Sequence, residues 1–340
     1  MNVLVIHTGG TISCQSVNGV LTPSGNVAPY FKTLAKELKG YASVRFTHKK
    51  LPPILSETLN GSHLTRIAKE VKKGLENKDV DGIIVTHGSD TVAYTTAFLS
   101  YILGSDCPPT VTVCADLPLT DPKSSGHVNL RAAVALIASG QARGVFSVYR
   151  DSDSSAIIHR GSRILRHRAY ESELSSTSHA YGKVLLIAPE NLKTVKNPLY
   201  SESEDGIIFE LPQLGKSSQI MHVSVSPGMT LQPPTRSCKA VILGTYHSGT
   251  LDTSDRQTVK FAKQCKRLGI PVYVDGIGSN ADYETMTAYP ELGFKRLPPL
   301  TSPVAMYIKL WILLSKGEKD LDELLYRSCG GDIPLSPVRG

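Results

Sequence analysis

The sequence predicts an α/β fold, with a larger N-terminal domain built on a mainly parallel sheet flanked by helices and a smaller α/β C-terminal domain. Short apolar runs rich in β-branched residues alternate with stretches of helical periodicity along most of the chain. Several runs, including the one at 82–87, are apolar without alternation, which is typical of parallel strands covered on both faces. A length of 340 residues suits about two domains.

The predicted elements alternate along the chain. Strands are predicted at 2–7, 43–47, 82–87, 110–115, 144–150, 183–188, 207–211, 240–246 and 271–275. Helices are predicted at about 60–77, 91–103, 127–139, 254–268, 302–316 and 319–327. Lys309 interrupts the apolar run of the fifth helix, which is too short to span a membrane, so this segment is predicted to be a buried helix.

A polar stretch at 189–206 interrupts this alternation, and it is rich in Pro, Asn, Ser and charged residues. Such a composition is typical of a domain edge or linker. We therefore predict an N-terminal domain over 1–190, a linker over 191–212 and a C-terminal domain over 213–340.

Composition narrows the classes of function. The net charge is +7, but the basic clusters at 48–50 and 159–168 are not interleaved with aromatic residues, so nucleic acid is not a predicted partner. The first residues lack the features of a signal peptide, and the expectation is a cytoplasmic protein without a membrane segment. The six cysteines show neither CxxC pairs nor metal-ligand spacing, so no metal site is predicted from them.

Small hydroxyl residues and glycines follow several predicted strands. In an open parallel sheet ligands bind beyond the carboxyl ends of the strands, so these positions are the candidates for a site. They comprise the segments 8–11, 87–91, 115–116, 246–250 and 276–283.

Two of these segments allow more than one interpretation. The glycines before Thr11 suit a tight turn, a phosphate-binding loop or an exposed nucleophile, but the lysine of a phosphate-binding P-loop is absent. Asp90 suits ordinary capping of the helix that follows, or a polar pocket in which Asp90 holds an amino group beside the Ser89 hydroxyl.

The combination of "TGGTI" at 8–12 with "THGSDT" at 86–91 resembles the bacterial-type L-asparaginases, the asparaginase/glutaminase family. The resemblance covers most of the chain. It includes "ILSETLN" at 54–60, "CADLPLTDPKSSGHVNLRAAV" at 114–134, "VSPGM" at 225–229 and "TSPVAMYIKLWILL" at 301–314.

The resemblance implies the role of each matching residue. Thr11 matches the nucleophile that forms an acyl ester, and Ser89 and Asp90 match a second hydroxyl and its acidic partner. Substrate contacts are implied for Gly10, Ser56, Glu57, Gly88 and Ala115, and Thr250 falls where a neighbouring subunit lends a polar residue. The family works without a cofactor and assembles as a dimer or tetramer.

The sequence departs from the family pattern at two places. Arg166 stands where the family has the lysine of its second catalytic group, and arginine stays protonated, so it cannot act as a neutral base. Val20 stands where many members carry a lid tyrosine; Tyr283, from the C-terminal part, lies where some members supply one instead. Tyr283 is therefore the candidate to activate Thr11, with packing at a domain edge as the alternative.

Three histidines near these motifs are given lesser roles. His7 is predicted to be structural, and His87 to be a wall of the pocket rather than a base. His247 lies next to the predicted subunit contact.

The function predicted from these residues is hydrolysis of L-asparagine to L-aspartate and ammonia through a threonine acyl-enzyme, with L-glutamine as a further substrate. One alternative is a glutaminase or another amidase, including one acting on an amide carried by RNA, in which Arg166 marks an altered catalytic group. Another is a catalytically weak protein that binds asparagine.

Overall fold

The computed structural model describes residues 1–23, 27–169, 171–188, 190–204, 206–215, 217–278 and 282–335. Its strands are β1 (Asn2–Gly9), β2 (Cys14–Val17), β3 (Val20–Pro23), β4 (Arg45–Ile54), β5 (Gly82–Thr86), β6 (Thr110–Val113), β7 (Val145–Ser152), β8 (Ser155–Arg160), β9 (Gly182–Ala188), β10 (Asn191–Lys196), β11 (Ile220–Val223), β12 (Ala240–Leu243), β13 (Val272–Val274) and β14 (Phe294–Arg296). Its helices are α1 (Ala28–Glu37), α2 (Gly61–Leu75), α3 (Val92–Leu103), α4 (Ser125–Ala138), α5 (Arg256–Arg267), α6 (Tyr289–Leu292), α7 (Pro303–Lys316) and α8 (Leu321–Tyr326).

The first sheet has eight strands in the order β10-β9-β8-β7-β6-β5-β1-β4. The strands from β4 to β7 are parallel, and those from β7 to β10 are antiparallel. All five residues of β5 are buried, as expected for a strand covered by helices on both faces. His7 of β1 pairs with Thr86 of β5, and Thr86 pairs with Val113 of β6. The carboxyl ends of three neighbouring strands therefore meet along one edge.

The second sheet has four parallel strands in the order β11-β12-β13-β14. Its own apolar cluster includes Phe261 of α5 and Tyr289 of α6. Helix α7 packs against α3 and also contacts β11, so it links the second sheet to the first. The prediction of two α/β units with mainly parallel sheets is confirmed; the exact partition at 190 and 213 stays a prediction.

Several elements differ from the prediction. Residues 207–211 form no strand. The amides of Ile207 and Phe209 donate to the carbonyls of Ser328 and Tyr101, and not to a neighbouring strand of a sheet. That predicted strand is wrong. Residues 191–196, placed in the linker, instead form β10 at the edge of the first sheet. An edge strand with one face in solvent carries polar residues, so its composition resembles that of a linker.

Lys309 is buried in α7, as predicted for this helix. Its ammonium lies 2.9 Å from a carboxylate oxygen of Asp332, and neither side chain is exposed. The Tyr101 hydroxyl donates a second hydrogen bond to the same carboxylate. This ion pair fastens the C-terminal segment to α7 and α3.

Within the described ranges, no helix has the length and apolar character needed to cross a membrane.

Candidate active site

The first strand leads directly into the turn that carries Thr11. Gly10, with φ 79° and ψ 168°, precedes a 3-10 turn over Thr11–Ser13. The hydroxyls of Thr8 and Ser13 are engaged, since they donate to the carbonyls of Thr86 and Gly10. The Thr11 hydroxyl makes no hydrogen bond with another described residue, and its side chain is half-buried. It is therefore free to meet a bound molecule.

The glycine before Thr11 packs directly on the loop that follows β5. A Cβ on Gly10 would lie 2.4 Å from the His87 carbonyl oxygen and 2.4 Å from the Gly88 nitrogen. A Cβ on Gly88 would in turn lie 2.5 Å from the Cβ of Ser56. Only residues without a Cβ allow this spacing. The two glycines therefore bring three predicted site segments into contact.

Ser89 and Asp90 lie in a 3-10 turn over Ser89–Thr91 that begins directly after Gly88 and leads into α3. Ser89 is half-buried and Asp90 is exposed. Because β1 and β5 are neighbouring parallel strands, adjacent chains at this edge lie about 5 Å apart. The turns that carry Thr11 and Ser89 are therefore side by side.

His87, in the "THGSDT" motif, is buried just before the turn that carries Ser89. His87 Nδ1 lies 2.9 Å from the Gly88 carbonyl oxygen, and Nε2 lies 2.8 Å from the Thr95 hydroxyl. Because a carbonyl only accepts, Nδ1 carries the proton and Nε2 accepts from Thr95. Burial lowers the pKa of His87, which favours the neutral ring. These contacts agree with the prediction that His87 is not a base.

Ser56 is held by Thr91, a residue for which no role was predicted. The Thr91 amide donates to the Ser56 hydroxyl at 3.1 Å, and the Thr91 hydroxyl donates to the Ser56 carbonyl at 2.9 Å. The two hydroxyls are also 2.9 Å apart. All three contacts are satisfied together when Ser56 donates to Thr91, because each hydroxyl has one proton. In that arrangement the Ser56 proton must turn away from Thr91 before it can bond to a substrate.

Three predicted charged residues line one cavity of about 820 Å³. Glu57, Asp90 and Arg166 contribute the charges, and Tyr94 and Trp311 contribute aromatic walls. The Ser302 hydroxyl and the Leu165 amide hold the chain next to Arg166, through bonds to Ile164 and Ser175. All three charged side chains are exposed, and no ion pair joins Arg166 to Asp90 in the described parts of the chain.

Ala115 is buried at the end of β6, beside a carboxylate for which no role was predicted. Asp116 accepts hydrogen bonds from the Ser125 amide and hydroxyl at 2.8 and 2.7 Å, and pairs with Arg150 at 3.0 Å. Partial burial alone would raise the pKa of Asp116, but the bonds from Ser125 and the Leu117 amide, with Arg150, lower it. This network fixes the backbone at Ala115. The sequence feature that could have indicated this role is that Asp116 comes soon after a predicted strand.

Thr250 and Tyr283 lie together, after strands of the second sheet. Together with Tyr246 they line a cavity of about 370 Å³ beyond the carboxyl ends of β12 and β13. The Tyr283 side chain is 55% exposed. Among the residues with a described position, no hydrogen bond joins either one to Thr11. A single chain thus holds two groups of predicted residues, one on each sheet.

The remaining residues singled out from the sequence are structural or exposed. His7 Nε2 lies 3.0 Å from Nδ1 of His48, and burial, followed by the charges of His48 and Lys50, lowers the pKa of His7 to about 4. This agrees with a structural role. Val20 is 65% exposed on β3, and His247 is exposed in the turn before Thr250.

Comparisons with known proteins identify the family of the chain. A family model described as "Asparaginase, N-terminal" matches residues 2–199. The chain is 30% identical over 246 residues to a glutamyl-tRNA(Gln) amidotransferase subunit of Methanopyrus kandleri, covering 67% of this chain and 50% of that protein. It is 34% identical over 152 residues to the glutaminase-asparaginase of Pseudomonas fluorescens biotype A, covering 42% and 40%. The aligned part thus spans about half the length, or less, of these relatives.

Solved structures show the same fold over nearly the whole chain. The thermostable L-asparaginase from Thermococcus kodakarensis superposes with a TM-score of 0.77 at 22% identity, covering 99% of this chain and 100% of that one. L-asparaginase I from Vibrio cholerae gives 0.72 at 20% identity, covering 98% and 99%. The family model covers more than half of the chain, and the matched residues include "TGGTI" at 8–12 and "THGSDT" at 86–91. The chain belongs to the asparaginase family of amidohydrolases.

Proposed function

We propose that the protein hydrolyses the side-chain amide of L-asparagine to L-aspartate and ammonia through a covalent ester on Thr11. The observation that carries this proposal is the contact between the two motif turns. Gly10 and Gly88 place the unengaged Thr11 hydroxyl beside the Ser89–Asp90 turn, at the sheet edge where ligands bind. A hydroxyl nucleophile needs nearby groups that accept its proton and stabilise the charge that develops.

In the first step, Thr11 Oγ1 bonds to the amide carbon and its proton leaves to a base. The leaving nitrogen takes up a proton, the carbon–nitrogen bond breaks and ammonia departs. Water then attacks the ester, releases aspartate and restores the Thr11 hydroxyl. Backbone N–H groups near Thr11 and Ala115 are the proposed donors to the oxyanion, since buried, fixed donors stabilise it most.

Asp90 and Glu57 are proposed to bind the α-amino group of the substrate. Asp90 follows Ser89 in the turn after Gly88, and Glu57 follows Ser56, which packs against Gly88. Ser56, once rotated from Thr91, is proposed to bind the α-carboxylate. Arg166 is proposed to hold Asp90 and orient Ser89 by its charge, because a guanidinium cannot serve as a neutral base. Glutamine is a further proposed substrate, since it differs by one methylene group.

Thr250 and Tyr283 are proposed to complete the site of a neighbouring copy in a dimer or tetramer. Tyr283 is 55% exposed, and no hydrogen bond between described residues joins it to Thr11; both facts support this assignment. Tyr283 of the partner subunit would accept the Thr11 proton through its phenol oxygen. We propose that the assembly works in the cytoplasm without a cofactor.

Ammonia release from asparagine and glutamine tests this proposal. Wild type should release ammonia, and Thr11→Ala should not. Thr58→Ala is a matched control, because Thr58 is an exposed threonine next to the site whose hydroxyl only bonds the Leu55 carbonyl. Release of ammonia by Thr11→Ala at the wild-type rate would overturn the assignment of Thr11 as the nucleophile. Thermal stabilisation by asparagine without any release would favour a binding protein.

A second candidate function is the amidase part of a tRNA-dependent amidotransferase. The match over 67% of this chain to a glutamyl-tRNA(Gln) amidotransferase subunit favours it. Such an activity should require a partner chain or aminoacyl-tRNA, whereas an asparaginase should release ammonia alone. Adding glutamyl-tRNA(Gln) to the ammonia assay separates the two candidates.

A further inference from the structure

A cavity of about 800 Å³ lies at the amino-terminal edge of the second sheet. Lys239, just before β12, and Pro271, just before β13, both line it. Thr250 and Tyr283 follow the opposite ends of these two strands. No residue proposed above for catalysis or substrate binding contributes to this cavity. A molecule held there would therefore leave the proposed active site open.

The walls of this cavity are apolar and partly belong to the core of the second sheet. Ala262 and Cys265 of α5 and Val272 of β13 are each no more than 2% exposed. Further apolar lining comes from Ile270, Leu292, Leu314 and Leu321. The volume falls within the range of about 300–1,000 Å³ that is common for small-molecule sites. The cavity is thus suited to the apolar body of a small molecule.

Four lysines and two aspartates line the cavity, so positive charge is in excess there. Asp322 accepts a hydrogen bond from the Tyr273 hydroxyl at 2.8 Å and pairs with Lys295. Asp320 accepts the amide of Glu323 at the start of α8.

The other three lysines, Lys239, Lys266 and Lys319, form no ion pair with any residue in the described ranges. All three are exposed at the opening. Three unpaired ammonium groups therefore lie around one apolar pocket, and such a charge arrangement attracts anions.

From this combination we propose that the cavity binds a small organic anion, with its apolar body against α5 and β13 and its phosphate, sulfonate or carboxylate group between Lys239, Lys266 and Lys319. Neither feature alone selects this class: the apolar walls would take a neutral compound, and the lysines would attract any inorganic anion. An amphiphilic anion satisfies both. Binding is independent of Thr11, so the Thr11→Ala protein should bind as tightly as wild type.

The test uses two fluorescent probes that share an apolar body. 1-Anilinonaphthalene-8-sulfonate carries a sulfonate, and N-phenyl-1-naphthylamine lacks it. The folded protein should bind the sulfonate probe and bind the neutral probe more weakly. Asparagine should not displace the sulfonate probe. Hydrogen exchange should slow at 239–241, 265–272 and 319–322 when it binds.

The variant K239Q/K266Q/K319Q should weaken the affinity for the sulfonate probe about tenfold, the sum of three partly screened charge contacts. The control K72Q/K73Q/K78Q removes the same charge from exposed lysines in and after α2 and should leave affinity unchanged. Equal affinity in wild type and the first variant would overturn the proposal. An equal loss in both variants would also overturn it, because net charge alone would then explain binding.

Discussion

Replacing Gly10 by alanine should damage the protein far more than replacing Gly19, although both have a φ of 79°. An alanine Cβ at position 10 would lie 2.4 Å from backbone atoms of His87 and Gly88. At position 19, in the turn between β2 and β3, nothing lies within 4 Å of the added atom. The pair therefore compares a glycine that has a positive φ in open space with one that also allows a close contact.

The expected magnitudes follow from these two situations. A non-glycine residue at positive φ costs about 1–2 kcal/mol, and this alone applies to Gly19→Ala. Gly10→Ala adds the overlap with backbone that cannot rotate away, for which overpacking costs about 1–3 kcal/mol more. The free energy of unfolding should therefore fall by about 2–5 kcal/mol for Gly10→Ala and by about 1–2 kcal/mol for Gly19→Ala.

Urea unfolding followed by circular dichroism measures both changes, and ammonia release from asparagine measures the consequence for the site. A shift of about 1 Å between the Thr11 and Ser89 turns should lower turnover by about a hundredfold in Gly10→Ala. Gly19→Ala should keep near-wild-type turnover. Equal destabilisation and equal turnover in the two variants would refute the idea that Gly10 sets the contact between the two turns.

Three further changes test other parts of the molecule. Burial lowers the pKa of His159 to about 4, so its ring is neutral in the folded protein and the unfolded chain takes up a proton below about pH 6.5. The free energy of unfolding should therefore fall as the pH drops from about 6.5 towards 4. In urea titrations, the free energy of unfolding of His159→Gln should fall by about 2 kcal/mol less than that of wild type between pH 7 and 4.5. Equal falls in the two proteins would contradict this. Lys309→Met leaves the Asp332 carboxylate buried without its cation and should lower the free energy of unfolding by about 3–5 kcal/mol, with partial recovery on adding Asp332→Asn; an unchanged urea midpoint would contradict it. Arg166→Gln should lower the kcat for ammonia release about tenfold to a hundredfold. Arg166→Lys should lower it less, because lysine keeps a positive charge in the cavity that Asp90 also lines. An unaltered kcat in Arg166→Gln would remove Arg166 from the mechanism.

The sheet that carries the candidate site could be predicted because its central strands are apolar on both faces. Strands β1 and β5 lie close to their predicted bounds for this reason. The edge strand β10 and the three-residue strand β14 could not be predicted, since a polar or very short segment gives no periodic signal. The run at 207–211 is apolar because it packs against α3, which composition does not distinguish from a strand.

The candidate site was predicted where its residues follow a strand directly, as at Thr11 and Ser89. Partners that meet only in the folded chain gave no such signal. Thr91 holds Ser56 across 35 residues, and Arg150 holds Asp116 across 34. The roles of Thr250 and Tyr283 were predicted from the family pattern, and the cavity that the two residues share is visible only in three dimensions.

The most direct test of the proposed chemistry is mass spectrometry of the protein quenched in acid during turnover of asparagine. We expect a β-aspartyl ester on the peptide that contains Thr11, present in wild type and absent in Thr11→Ala, which also releases no ammonia. An ester on the peptide that contains Ser89, or ammonia release by Thr11→Ala at the wild-type rate, would contradict the assignment of Thr11 as the nucleophile.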